Sequence, residues 1–379
     1  MYAFYNTSCS GIAHLVFLDF SLVAIFPTML IHLSLVVTFL SPKVSGRVIA
    51  ESWKYWNSEN GQILNGLLWD AQASKEPYAV YDADNTIWQN DLEESLLPLM
   101  EMSQVITRDT IDPSLKLIPF KEDEPLFAYY YRLCEIDDKV CYPWIAQIFS
   151  GFTLNFLKEY VDKLFAYNDT IPTRIWEDGK LVPYEVRTPK IYAAQRELIN
   201  RLQDSGVRVF VCTAAAEELA RMVVSDAKYG LNVPPERVIG VTMLLQDQQT
   251  KEVTTARKQI AEDHFFDEEY SFGKHMEQLL TPYLWSPSTF YVGKQAAIID
   301  YIDPLNKPIL VAGDSENDHF MLFYSKGYRI WVDRKQSYTD QVKSLIKERS
   351  NRQLELGFWP TDSKNWIFVT PEELMPMRR

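Results

Sequence analysis

The sequence predicts an α/β fold, a doubly wound parallel sheet interrupted by one large insertion. Three observations point there. Short apolar runs rich in Val, Ile and Tyr each end in a polar residue, as buried parallel strands do. Helix-like patterns lie between them, and strand–helix alternation argues for helices on both faces of a parallel sheet. The spacing between the first two runs far exceeds one crossover.

In chain order, the strand candidates are Tyr78–Tyr81 running into Asp82, Val207–Cys212 into Thr213, Thr289–Val292 into Gly293 and Lys294, and Pro308–Ala312 into Gly313 and Asp314. A helix is predicted from Ile191 to Gln203, with Leu198, Ile199 and Leu202 on one face and Gly206 as its stop. A second is predicted over Glu217–Val224, and Val238–Thr255 reads as a hairpin around Gln246–Thr250. Residues 92–187 form the insertion, mostly helical by pattern and dense in rings such as Tyr129, Tyr130, Tyr131, Tyr142, Trp144, Phe152 and Phe156. Ligands of doubly wound sheets bind beyond the carboxyl ends of the strands. The polar residues that follow the four runs are therefore expected to meet at one place.

The chain has 379 residues, 47% hydrophobic and 23% charged, an ordinary globular composition that excludes disorder as the main state. Its net charge of −13 makes nucleic acid and anionic lipid surfaces poor partners for the whole chain. An anionic substrate needs a local exception, made by a metal, a lysine or helix N-termini. Phe20–Leu40 is uncharged and long enough to cross a hydrocarbon core of ~30 Å, although Pro27 and His32 interrupt it. The expectation for residues 1–46 is a membrane anchor or a leader cleaved near Ser45 and Gly46, set against an apolar extension packed on the domain or a misplaced start. An anchor or leader implies the secretory pathway, membrane-anchored or extracytoplasmic; otherwise the location is cytoplasmic. Of four cysteines, Cys212 falls in a core strand. Cys134 and Cys141 either bridge, if the protein is exported, or stay free thiols. Asn168-Asp-Thr170 is a glycosylation sequon, meaningful only in that pathway.

Four signals carry chemistry. Asp82 and Asp84, in Asp82-Ala-Asp-Asn-Thr86, place two carboxylates on one turn, where one attacks an electrophile and the other handles protons. Thr213 offers a hydroxyl just before a helix start, suited to a phosphate oxygen or equally to an N-cap. Lys294 supplies a cation to clustered acids, or is simply solvated. In Gly313-Asp-Ser-Glu-Asn-Asp318, two more acids follow an apolar strand, as ligands or as a capping turn. Oxygens from Asp82 and Asp314, with the backbone carbonyl of Asp84, suit six-coordinate Mg²⁺.

This ordered set resembles the four-motif signature of the haloacid dehalogenase superfamily: D-x-D-x-T, a Thr or Ser, a Lys, and G-D-x-x-x-D. The resemblance covers about residues 76–340 and implies a Rossmann-like core split into residues 47–91 and 188–379, with residues 92–187 as its cap domain. It assigns Asp82 as a nucleophile that forms an aspartyl phosphate and Asp84 as the acid and base. Thr213 and Lys294 hold phosphate oxygens, and Asp318 beside Asn317 orients Lys294 or a metal-bound water. Members that cleave carbon–halogen bonds lack the second Asp, so Asp84 favours phosphoryl transfer. The stretch Asp84–Pro98, and Cys141-Tyr-Pro-Trp144 with Gln147, Phe149, Gly151 and Thr153, look like phosphorylcholine phosphatases and their phosphoserine-phosphatase-like relatives. Ala215 departs from that pattern, where many relatives carry a second small polar residue.

The expected function is Mg²⁺-dependent hydrolysis of a small phosphomonoester, with phosphorylcholine foremost. The alternatives are the same chemistry on phosphoserine or a sugar phosphate, or a non-catalytic, membrane-tethered binding protein of this fold. Tyr142, Trp144 and Phe152 are the candidate rings for a quaternary ammonium, by cation–π attraction of ~0.5–2 kcal/mol per ring. Asp91 and Glu94 add nearby negative charge. Asp91 matches a position that binds the substrate amine in phosphoserine phosphatases, and also suits an N-cap for the helix starting at Leu92. Oligomeric state leaves no mark in the sequence.

Overall fold

The computed structural model describes residues 52–261, 274–285 and 288–376. The apolar stretch Phe20–Leu40 lies outside them. Among the described residues no helix is long and apolar enough to cross a membrane.

The chain enters through α1 (Ser58–Ala73), capped by the Asn57 side chain, and β1 (Tyr78–Tyr81), then leaves the sheet through β2 (Trp88–Gln89). The excursion holds α2 (Leu92–Met102), α3 (Leu126–Cys134), α4 (Asp138–Gln147), α5 (Leu154–Ala166) and the hairpin of β3 (Ile171–Glu177) and β4 (Lys180–Val186). It closes where β5 (Lys190–Ile191) pairs antiparallel with β2, Trp88 opposite Ile191. The core resumes with α6 (Ala193–Asp204), β6 (Arg208–Ala216), α7 (Glu217–Val224), β7 (Val238–Gln246), β8 (Val253–Thr254) and α8 (Ala256–Ala261). It continues through β9 (Leu279–Trp285), α9 (Val292–Tyr301), β10 (Leu310–Gly313), α10 (His319–Tyr324), β11 (Tyr328–Val332), α11 (Gln336–Glu355), β12 (Trp366–Val369) and α12 (Pro371–Leu374).

The sheet runs β12-β11-β10-β1-β6-β7-β8, with β9 also on β7. Pairs from β12 through β7 are parallel; β8 and β9 pair antiparallel with β7. The expected hairpin is thus present at Leu245↔Thr254, on a strand that also pairs parallel with β6. Side chains alternate between two cores, as a pleated strand requires. Along β1, Ala79 and Tyr81 pack with Leu64, Leu198 and Leu219, whereas Tyr78 and Val80 pack with Ile298, Leu322 and Val342. Helices therefore cover both faces, as a doubly wound sheet predicts.

Register positions the site. Tyr81 lies opposite Ala312 on one side and Val211 on the other, so Asp82, Asp314 and Thr213 emerge at one level. One expected strand is corrected. Thr289–Val292 does not join the sheet: Tyr291 has a positive φ of 53°, and α9 starts at Val292. A Cβ on Gly293 would fall 1.8 Å from the Ser288 carbonyl oxygen, so only glycine permits this tight entry to the helix. Lys294 is accordingly a first-turn residue of α9 and does not follow a strand. Cys134 and Cys141 form a disulfide joining α3 to α4, and Cys212 is a buried free thiol.

Candidate active site

Asp82 follows β1, and its carboxylate meets the Lys294 ammonium at 2.6 Å. Lys294 also donates to Asp318 Oδ1 at 2.7 Å. The other oxygen of Asp318 accepts from the backbone N–H of Asp314 (2.9 Å) and of Ser315 (3.2 Å). Asp318 thus serves two ends at once: it closes the turn after β10 and fixes Lys294. Gly313 is required here, because a Cβ would come 2.5 Å from the Asp318 side chain. Asn317 accepts from the Tyr291 N–H at 3.1 Å, tying the same turn to the entry of α9. Asp314 receives the Thr86 hydroxyl at 3.2 Å and pairs with Arg334.

All three acids are buried. Desolvation, with Asp318 and Asp314 nearby, pushes the Asp82 carboxyl well above its usual range, while Lys294 pulls it down. Burial alone would lower the Lys294 pKa, but Asp318 and Asp82 outweigh it and hold the ammonium firmly protonated. Oxygens of Asp82, Asp314 and Asp318 lie within 4.8 Å of one another, a hard all-carboxylate set that fits Mg²⁺. Of the three, Asp82 and Asp314 line the cavity of the site and Asp318 does not, so Asp82 and Asp314 are the residues best placed to hold the ion. The Asp84 carboxylate is not in this cluster. It turns toward the inserted segment and accepts from the Trp88 indole N–H (2.7 Å) and the Leu92 N–H (2.8 Å). Burial first, then Asp91, raises its pKa strongly, which favours a protonated acid.

Thr213 sits inside β6, where the pairing with β7 shifts register between Cys212 and Ala216. Its hydroxyl accepts from the Ala215 N–H at 3.2 Å, and its carbonyl receives the Thr289 hydroxyl at 2.6 Å. It is not the N-cap of α7, which is Ala216. The Ala216 N–H instead donates to the buried Glu93 of α2 at 2.9 Å.

Asp82, Asp84, Thr213, Lys294 and Asp314 line a cavity of about 450 Å³ that extends to Asp91, Glu94, Tyr130, Tyr131, Asp138 and Tyr142. Asp91 is the N-cap of α2, accepting from the Glu94 N–H at 2.9 Å, and borders the cavity as well. Glu94 receives the hydroxyls of Tyr130 (3.1 Å) and Tyr131 (3.3 Å). Burial and Asp91 lift its carboxyl to about 7. Tyr142 packs edge-on against Phe290, and Asp138 accepts from the Tyr291 hydroxyl at 2.6 Å, joining α4 to the loop before α9.

Two candidate rings are corrected. Trp144 is 1% exposed, stacks on Tyr130 and donates to the Leu115 carbonyl, so it belongs to the packing of the insertion. Phe152 stacks on Phe156 and does not reach the cavity. Arg334, Glu93, Asp138 and Tyr338 are site residues that sequence reasoning missed. Arg334 follows a strand end, the one available signal.

The chain is 50% identical over 337 residues to the phosphorylcholine phosphatase of Pseudomonas aeruginosa, covering 87% of this chain and 95% of that protein. The chain belongs to the phosphorylcholine phosphatase family. It is a phosphoric monoester hydrolase, in agreement with the motif reading. A functionally unknown protein from Anaerococcus prevotii shares the fold, with a TM-score of 0.54 at 15% identity over 79% of this chain and 92% of that one. A substrate-bound phosphoserine phosphatase matches at a TM-score of 0.34 and 12% identity, over 71% of this chain and 91% of that one. No protein-family model matches the chain.

Proposed function

We propose that the protein hydrolyses phosphorylcholine through an aspartyl phosphate on Asp82. The observation that carries this reading is one continuous cavity. The Asp82–Lys294–Asp314 cluster forms one part of its lining, and Glu94, Asp91, Tyr130, Tyr131 and Tyr142 form a second part. A phosphoryl group fits the first part. A quaternary ammonium has no hydrogen bond to donate and is met best by rings and carboxylate charge, which the second part supplies. Residues 92–187 act as the cap, contributing all of that second part but Asp91.

In this scheme the Asp82 carboxylate attacks phosphorus. The bond to the choline oxygen breaks, and the electron pair leaves on that oxygen, which takes the Asp84 proton. Asp84, now a carboxylate, removes a proton from water as the water attacks phosphorus. The acyl–phosphate bond then breaks, returning Asp82 and releasing phosphate. Lys294 and the Thr213 hydroxyl hold the peripheral oxygens as charge redistributes. Mg²⁺ on Asp82 and Asp314 would supply further positive charge to the phosphoryl oxygens and favour ionised Asp82. The local cations also answer the net charge of −13: the field repels large polyanions, while one pocket accepts one phosphate.

A panel of phosphomonoesters tests the substrate. Phosphorylcholine is expected to be hydrolysed with a higher kcat/KM than glycerol phosphate, phosphoserine or a sugar phosphate. Equal values across the panel would remove the ammonium-binding role of Glu94, Asp91, Tyr130, Tyr131 and Tyr142.

A further inference from the structure

Arg334 sits in the short connection between β11 and α11, outside the four motifs. The connection is anchored at both ends: the Asp333 N–H donates to the Val369 carbonyl at 2.7 Å, and the Asp333 carboxylate accepts from the Thr339 hydroxyl at 2.6 Å. Its backbone is therefore fixed, and only the long side chain is free to change partners. The guanidinium lies beside the Tyr338 ring, 5.2 Å from its centroid, and lines the same cavity as Asp82, Thr213 and Lys294. Nε donates to Asp314. Neither Nη group has a hydrogen-bond acceptor among the described residues, and the side chain is 32% exposed. Four N–H donors thus border the cavity with no acceptor among the described residues.

Two further cations line that cavity, Lys294 and Lys335. Lys294 is already committed: it donates to Asp318 Oδ1 and is ion-paired with Asp82 at 2.6 Å. Lys335 is a point charge beside the Tyr338 ring, 4.5 Å from its centroid. Asp82, Asp314 and Asp318 are buried together, so a phosphate dianion entering this space needs more donors than Lys294 and Thr213 retain. A guanidinium fork matches a phosphoryl group in two parallel hydrogen bonds, which a lysine cannot reproduce. Asp314 is also a ligand of the divalent ion in the function proposed above. Its Oδ2 cannot hold both that ion and the Arg334 N–H at full strength.

We propose that Arg334 is a second phosphate-binding residue and an internal competitor of the divalent cation at Asp314. It neutralises Asp314 in the metal-free protein, and it turns to the phosphoryl oxygens when a cation takes that carboxylate. This rests on the metal-dependent reading of the site.

The test is calorimetric and independent of turnover. Metal-free protein is titrated with MgCl₂ alone, and Mg²⁺-saturated protein with inorganic phosphate or orthovanadate. Arg334→Gln is expected to bind Mg²⁺ roughly 10-fold more tightly than the parent, because nothing is displaced, yet to bind phosphate roughly 10- to 100-fold more weakly. Arg334→Lys, which keeps the charge on Asp314, is expected to show near-parental Mg²⁺ affinity and the same weakening toward phosphate. It supplies the phosphate result if the Gln variant does not fold. Unchanged or weaker Mg²⁺ binding in Arg334→Gln, or unchanged phosphate binding in either variant, would overturn the proposal. Hydrolysis of phosphorylcholine by the parent, measured separately, tells failure of this inference from failure of the functional reading.

Discussion

Replacing Glu94 with Gln isolates the charge that it contributes to the proposed choline site. The amide oxygen still accepts one of the Tyr130 and Tyr131 hydroxyls and the amide N–H₂ donates to the other hydroxyl oxygen, so both contacts are kept and the negative charge is lost. A carboxylate and an ammonium about 5 Å apart attract by roughly 3 kcal/mol at an effective dielectric of about 20. Two features of the site reduce that figure. The Glu94 carboxyl titrates at about 7, so about half is ionised at neutral pH. Asp91 and Asp138 remain as neighbouring acids. The expected loss is ~1–2 kcal/mol, roughly a 10-fold rise in KM for phosphorylcholine with kcat little changed. The assay compares phosphorylcholine with para-nitrophenyl phosphate, which lacks the ammonium. The parent should also gain affinity for phosphorylcholine as pH rises through about 7, because Glu94 is neutral below that value and anionic above it. Arg334 stays charged throughout, and burial holds the Tyr130 and Tyr131 hydroxyls far above this range. Asp91, itself raised by burial, is the other group that shapes the lower limb. A KM rise shared equally by both substrates, or no rise in either, would refute the reasoning.

Lys294→Met should abolish activity and also destabilise the fold. It strips the counter-ion from Asp82 and Asp318, both buried, and breaking such a pair costs about 3–5 kcal/mol, read from urea unfolding. Replacing Cys134 and Cys141 with Ser should lower stability by about 2–3 kcal/mol through the freed loop. Because α4 presents Asp138 and Tyr142 to the cavity, the same variant should raise KM for phosphorylcholine more than for para-nitrophenyl phosphate.

The strands that run through the middle of the sheet were legible because burial on both faces leaves a continuous apolar signature, as in β1 and β10. Thr289–Val292 carries the same signature and is not a strand. A short β-branched and aromatic run does not reveal the positive φ of Tyr291, whose N–H is held by the Asn317 side chain from the turn after β10. In β11 the apolar run is broken by Arg329, which is buried nonetheless because its guanidinium donates to the carbonyls of Leu322, Ser325, Gly327 and Lys364. Missing β11 hid Arg334, although the rule that ligands meet beyond strand carboxyl ends would have pointed to it. The β3–β4 hairpin did carry a local sign, Asp178-Gly179 at its turn, where both residues adopt positive φ. Trp144 and Phe152 misled for another reason. Ring density shows that a segment is aromatic, but which rings face a cavity depends on how α3, α4 and α5 pack.

The central claim is covalent catalysis at Asp82. Enzyme turning over phosphorylcholine labelled at phosphorus is quenched in acid and mapped by peptide. The account predicts label on the peptide that contains Asp82, released by hydroxylamine as an acyl phosphate is. It also predicts no label in Asp82→Asn, whose turnover falls by roughly 10⁴-fold or more while its fold is kept. Label on another residue, or phosphatase activity retained by Asp82→Asn, would contradict it.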